Sequence, residues 1–145
     1  MTPPVKPLVL FLCTGNAARS LMAEAILRSQ AGDRFDVRSA GMDPRGVHPL
    51  TRQVLEEIGL STADLRSKPS SDFLGKVAVR LAIIVCDRAH QHCPRIYPFA
   101  ARTLYWPFDD PAAFEGSPAA RLEKFRDVRD QIARRVDAWL REEQP

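Results

Sequence analysis

The most constraining feature of the chain is a short apolar run, Val9-Leu10-Phe11-Leu12, that feeds without a spacer into Cys13-Thr14-Gly15-Asn16-Ala17-Ala18-Arg19-Ser20. Pro7 precedes the run, and the pattern turns helical from Ser20. A run that is apolar at every position reads as a strand covered on both faces. In the following segment Met22, Ala25, Ile26 and Ser29 share a helical face, and Gly32 supplies a stop. Strand, tight polar loop and helix in that order are the opening unit of a parallel α/β sheet. The rest of the chain continues the alternation. Asp36 to Ala40 reads as a second strand ended by Gly41. His48 to Ile58 reads as a helix with Val54, Leu55 and Ile58 on its apolar face. Ser61 to Ser71 is rich in Ser, Thr, Lys and Pro and reads as a surface connection. Leu81 to Val85 is the most hydrophobic stretch and reads as a central strand. Thr103 to Trp106 is a further strand halted by Pro107. Ser117-Pro118 then opens a long helix whose stripe is Leu122, Phe125, Val128, Ile132, Val136, Trp139 and Leu140. No repeat and no linker interrupts residues 1–145, so one α/β domain is expected, a parallel sheet with helices on both faces.

Sheets of this kind hold ligands beyond the carboxyl ends of their strands. The first and third strands are read to end at Leu12 and Val85, and a cysteine follows each, Cys13 and Cys86. The loop after the first strand has the chemistry of an oxyanion cradle. Its small residues, Thr14, Gly15, Asn16, Ala17 and Ala18, let successive backbone N–H groups turn inward, and a helix N-terminus points at the same place. Arg19 can grip two oxygens of a tetrahedral anion. Cys13 sits at the floor, where such surroundings favour the thiolate, Ser20 can donate to the sulfur, and Asn16 can brace the loop. A competing reading is a buried cysteine in a loop that is merely small.

Composition excludes several classes. Lys plus Arg number 21 and Asp plus Glu 18, a net charge of +3, with the two signs interleaved. This is no nucleic-acid footprint. No apolar run approaches the ~18 residues of a membrane span, and the start lacks a secretory pattern, so a cytoplasmic protein is expected. Three cysteines in such a chain point to chemistry or core rather than structural bridges.

Val9 to Glu24, together with Arg38-Ser39-Ala40-Gly41, Val47-His48-Pro49 and an Asp-Pro segment, resembles the low-molecular-weight tyrosine phosphatases. It is still more similar to the arsenate reductases built on that fold. The resemblance implies a doubly wound sheet of four parallel strands in the order 2-1-3-4. It also implies that Asp110, in Trp106-Pro107-Phe108-Asp109-Asp110-Pro111, is the general acid. Breaking an oxygen from a tetrahedral oxyanion requires such a proton donor, and Pro111 restricts the backbone of Asp110. Asp109 reads as a solvated neighbour or loop contact. An Asp-Pro pair making only a turn is the plainer reading.

Cys86 and Cys93 lie seven positions apart. On a helix that separation is about 10–11 Å, too far for a disulfide, whose Cα atoms lie about 4.4–6.8 Å apart. A bridge between them would require unwinding, which makes a redox switch. In the thioredoxin-coupled arsenate reductases that this Cys-Asp-x5-Cys-Pro segment resembles, a relay is implied. Cys13 attacks arsenic, Asp110 protonates the leaving hydroxide, Cys86 attacks the sulfur of Cys13, and Cys93 then attacks Cys86. Thioredoxin would reduce the resulting bridge, phosphate and sulfate would compete with arsenate, and residual phosphatase activity is expected. Two alternatives stand beside it. One is a phosphatase in which Cys86 and Cys93 are idle. The other is a non-enzymatic zinc- or oxyanion-binding module using Cys86, His90, His92 and Cys93. No cofactor or metal is expected for the enzyme, and a monomer is the default because the sheet can consume the single apolar stripe of the last helix.

The resemblance has three departures. Ala17 and Ala18 stand where many relatives carry Ser and a fourth Cys. Some members bind potassium beside the loop through an Asn, a Glu, a Ser and an Asp; Asn16, Glu24 and Ser39 match the first three, and Lys68 aligns with the fourth. Its ammonium group can replace the ion. Finally, Ala112-Ala113-Phe114 follows Asp110-Pro111 where the phosphatases place tyrosines, which favours a small inorganic oxyanion.

Overall fold

The computed structural model describes residues 5–73, 75–86 and 100–142. Four strands form one parallel sheet: β1 (Leu8–Cys13), β2 (Asp36–Gly41), β3 (Val79–Ile84) and β4 (Ala100–Tyr105), in the spatial order β2-β1-β3-β4. That is the expected 2-1-3-4 order. Among the described residues three α-helices accompany them: α1 (Arg19–Ala31), α2 (Pro49–Glu57) and α3 (Pro118–Glu142). The central β1 is buried at all six positions, as a strand covered on both faces must be. The edge strand β4 has no buried residue.

Register places the chemistry. Leu12 pairs with Ile84, so Cys13 lies level with Val85, and Cys86 is one residue further along. The Val85 amide continues the ladder by donating to the Leu12 carbonyl at 2.9 Å. The predicted strand ends shift by one residue: β1 includes Cys13, and β3 stops at Ile84.

The core is built by the apolar stripes. Phe11, Phe125, Ile132 and Val136 are wholly buried, and Trp139 packs on Phe35 and Trp106 with ring centroids 5.4 and 6.2 Å away. Burying side chains of this size contributes about 1.5–3 kcal/mol each. Two readings of helical faces need correction. In α1 every residue from Arg19 to Leu27 is buried, while Ser29 is exposed; the helix touches β1, β2, α2 and α3, so a single apolar face does not describe it. In α2 Val54 and Leu55 are buried, but Ile58 is 45% exposed because the helix has ended and the chain turns at Gly59, whose φ is +82°.

The connection at residues 61–71 also departs from expectation. Thr62 and Leu65 are buried, and Pro69 forms a bridge with Gly41 at the end of β2. Polar composition suggested a surface loop, but the segment uses its backbone to close the sheet edge. Among the described residues no helix is long and apolar enough to cross a membrane.

His48 caps α2: its Nδ1 accepts from the Leu50 amide at 3.0 Å, and its ring lies 4.7 Å from that of Phe125. Burial, aided by Arg121 and opposed by Asp110, holds the imidazole below its ordinary pKa near 6.5. A protonated Nδ1 could not accept the capping bond. The unfolded chain therefore binds this proton at a higher pH than the folded one, and stability falls as pH drops below about 6.5. Thermal midpoints between pH 7.5 and 5.5 are expected to fall less in His48→Asn, which can still cap, than in the unaltered chain.

Candidate active site

The segment between β1 and α1 wraps around the sulfur of Cys13. The Asn16 amide donates to Sγ at 3.1 Å, and the Ser20 hydroxyl lies 2.9 Å from it. Cys13 is 2% exposed and a free thiol. Asn16 adopts the left-handed backbone, φ +46°, which asparagine tolerates better than most residues. Its side chain is fully committed. Nδ2 donates to Ser20 Oγ at 2.7 Å and to Ser39 Oγ at 3.0 Å, and Oδ1 accepts from the Lys68 amide at 2.8 Å. The bracing expected of Asn16 and the contact expected of Ser20 are both present.

A second strip of chain lies along the loop. The amides of Met42, Asp43, Arg45 and His48 donate to the carbonyls of Cys13, Thr14, Gly15 and Ala17, at 2.8–3.1 Å. Thr51 Oγ1 adds a bond to the Ala17 carbonyl at 2.7 Å. Every outward carbonyl so engaged leaves the loop free to turn N–H groups toward the interior. Gly41 sits where β2 meets the loop. A Cβ there would lie 2.7 Å from the Thr14 carbonyl oxygen and 2.8 Å from the Asn16 nitrogen.

The segment that carries Asp110 arrives from the other side. After β4 the Trp106 amide donates to the Ile84 carbonyl at 2.8 Å and the Phe108 amide to the Val85 carbonyl at 3.2 Å. These bonds hang the Asp109-Asp110 segment on the end of β3. Arg19, 6% exposed, donates from Nη1 to the Phe108 carbonyl at 3.2 Å and reaches Asp110 Oδ2 with Nη2 at 3.6 Å. Asp110 Oδ1 accepts from the Ala112 amide at 3.0 Å. Asp109 points elsewhere and pairs with Lys124 at 2.9 Å, the loop contact expected of it.

Together these groups line a cavity of about 310 Å³ containing Cys13, Thr14, Gly15, Ala17, Ala18 and Arg19 at one wall and Asp110, Ala112 and Ala113 at the other. Alanines 112 and 113 keep that wall small. Arg45 also lines the cavity, its side chain lying across Gly15. No local motif marks it; only the pairing of residues 42–48 with the loop brings it there. Cys86 is wholly buried just past β3 and is disulfide-bonded. Cys93, His90 and His92 lie outside the described residues, so the structure neither assembles nor disperses the proposed zinc ligands.

The potassium site implied by the resemblance does not fit these residues. The Lys68 ammonium stands where the fourth ligand would be a carboxylate, 3.8 Å from Glu24 Oε1, so an entering cation would meet a positive charge.

The profile of the family described as low molecular weight phosphotyrosine protein phosphatase matches residues 8–144. The chain belongs to that family. Among its relatives, an arsenate reductase of Halalkalibacterium halodurans is 37% identical over 134 residues, which span 92% of this chain and 95% of that one. A solved arsenate reductase in a phosphate-binding state superposes with a TM-score of 0.77 at 26% identity, covering 95% and 99% of the two chains. A thioredoxin-dependent arsenate reductase of Corynebacterium glutamicum superposes with a TM-score of 0.61 at 28% identity, covering 94% of this chain and 65% of that one.

As a low-molecular-weight phosphatase-family loop, this one depends on close backbone contact at Gly41. Gly41→Ala is expected to cost about 1–3 kcal/mol of stability and to displace Asn16 from the sulfur. The melting temperature and the alkylation rate of Cys13 should both fall.

Proposed function

We propose that the chain reduces arsenate to arsenite through a three-cysteine relay recycled by thioredoxin. The observation that carries the reading is the cavity that faces the Cys13 sulfur, Arg19 and Asp110 toward one another. The names of the relatives support the choice of arsenate, and the small Ala112-Ala113 wall suits an inorganic oxyanion better than an aromatic ester.

In this reading arsenate occupies the loop, its oxygens held by backbone amides and the Arg19 guanidinium. The Cys13 thiolate attacks arsenic, an As–S bond forms, and the departing hydroxide takes a proton from Asp110 and leaves as water. Cys86 then attacks the Cys13 sulfur. The S–S bond forms as the S–As bond breaks, the electron pair passes to arsenic, and arsenic goes from the pentavalent to the trivalent state. Two thiols have supplied the two electrons. Cys93 attacks Cys86, the Cys13 thiolate is released, and a thioredoxin dithiol reduces the Cys86–Cys93 bridge by exchange. The register supports the second step, since Cys86 lies one residue beyond the position level with Cys13. Because phosphate shares the shape and charge of arsenate, slow phosphomonoester hydrolysis at Cys13 is part of the same proposal.

Single-turnover reaction of fully reduced protein with arsenate, without reductant, should lower the free thiol count from three to one. Cys13→Ser should abolish both arsenate reduction and phosphatase activity. Cys86→Ser and Cys93→Ser should each lose multiple turnover with thioredoxin while keeping phosphatase activity. A thiol count that stays at three, or a Cys86→Ser protein that still turns over with thioredoxin, rejects the relay.

Arg45 adds a second guanidinium to the mouth, with its side chain 68% exposed and 3.4 Å from Asp43. An exposed charge of this kind steers an anion more than it binds one. Arg45→Ala should raise KM for arsenate about two- to fivefold, with a smaller change in kcat, and the difference should shrink at high ionic strength.

A further inference from the structure

Glu24 is 2% exposed, and its Oε1 has no hydrogen-bond partner. A buried carboxylate is costly unless a cation offsets it. Two cations stand near that oxygen, Arg28 Nη2 at 3.6 Å and Lys68 Nζ at 3.8 Å. They are not equivalent. The Arg28 side chain is 43% exposed, and its Nη2 also donates to the Val37 carbonyl at 2.6 Å. The Lys68 side chain is 16% exposed, and its ammonium is anchored by the Arg66 carbonyl at 2.7 Å. Lys68 is also the residue whose backbone amide holds Asn16 Oδ1.

A continuous chain of contacts therefore runs from this ammonium to the nucleophile. Lys68 faces Glu24. The Ser39 hydroxyl stabilises the Glu24 carboxylate while accepting from Asn16 Nδ2, and the Asn16 amide donates to the Cys13 sulfur. Burial pushes the Glu24 carboxyl up, with Lys68 the strongest opposing charge; burial pushes Lys68 down, with Glu24 opposing. Each group offsets part of the other's burial. The cleft outside is lined by four basic and three acidic side chains. A further cation entering it would meet the ammonium already in place.

We propose that the Lys68 ammonium is a tethered cation that neutralises Glu24 and so positions Asn16 and the nucleophile loop, in place of any external monovalent ion. The proposal concerns the loop and not the substrate it serves, so it stands or falls separately from the reductase reading.

The test compares the unaltered chain, Lys68→Met and Lys68→Arg in about 0.1 M potassium chloride and in choline chloride of equal ionic strength. The melting temperature and the rate of iodoacetamide alkylation are read, the latter on the Cys13 peptide by mass spectrometry. The unaltered chain should be indifferent to the cation. Lys68→Met should melt several degrees lower in choline and alkylate about fivefold more slowly, and potassium should recover part of both losses. Lys68→Arg should retain most of both. A potassium requirement in the unaltered chain overturns the proposal. So does a Lys68→Met protein with an unchanged alkylation rate, or one whose losses neither potassium nor Lys68→Arg recovers, since the side chain would then serve only by packing.

Discussion

One asparagine holds the site together. Asn16 donates its backbone N–H to the Cys13 sulfur, both side-chain N–H groups to Ser20 and Ser39, and offers its carbonyl to Lys68. These partners come from the end of β1, α1, β2 and the connection before β3, four separate parts of the chain. Because the residue is wholly buried, each of those bonds replaces water that cannot return. The left-handed backbone at this position is the conformational cost of directing all of them at once. Loss of any one partner leaves a buried polar group unmatched, so the loop behaves as a unit.

The sheet supplies the second constraint. Parallel strands end on a common edge, and β1 and β3, as neighbours, bring their carboxyl ends within one strand spacing. The cradle follows β1, Cys86 follows β3, and the acid segment is tied to the β3 end by the Trp106 and Phe108 amides. Topology places Cys13 and Asp110 on one cavity and sets Cys86 at the end of the strand beside β1. Arg19 joins the halves, contacting the acid segment through both nitrogens of its guanidinium fork.

What was legible in the sequence was the part whose chemistry is contiguous. Cys13 to Ser20 carry a thiol, a run of small residues, a guanidinium and a hydroxyl within eight residues, so residue type and spacing sufficed to single the segment out. The strand order came from resemblance, since hydrophobic patterning cannot order strands. Arg45, Gly41 and the residue 61–71 connection were not legible as site components. Each reaches the loop through backbone pairing across a long sequence separation, and backbone pairing leaves no side-chain pattern. The reading of α1 as one-sided failed for a related reason: small residues such as Ala23 look neutral in sequence but become buried when helices close in from several directions. Ile58 failed oppositely, as an apolar residue one step beyond the end of its helix.

The Val85 carbonyl accepts the Phe108 amide, one residue before Cys86 and two before Asp110. Any displacement of the chain at Cys86 is therefore transmitted through this one hydrogen bond to the segment that carries Asp110.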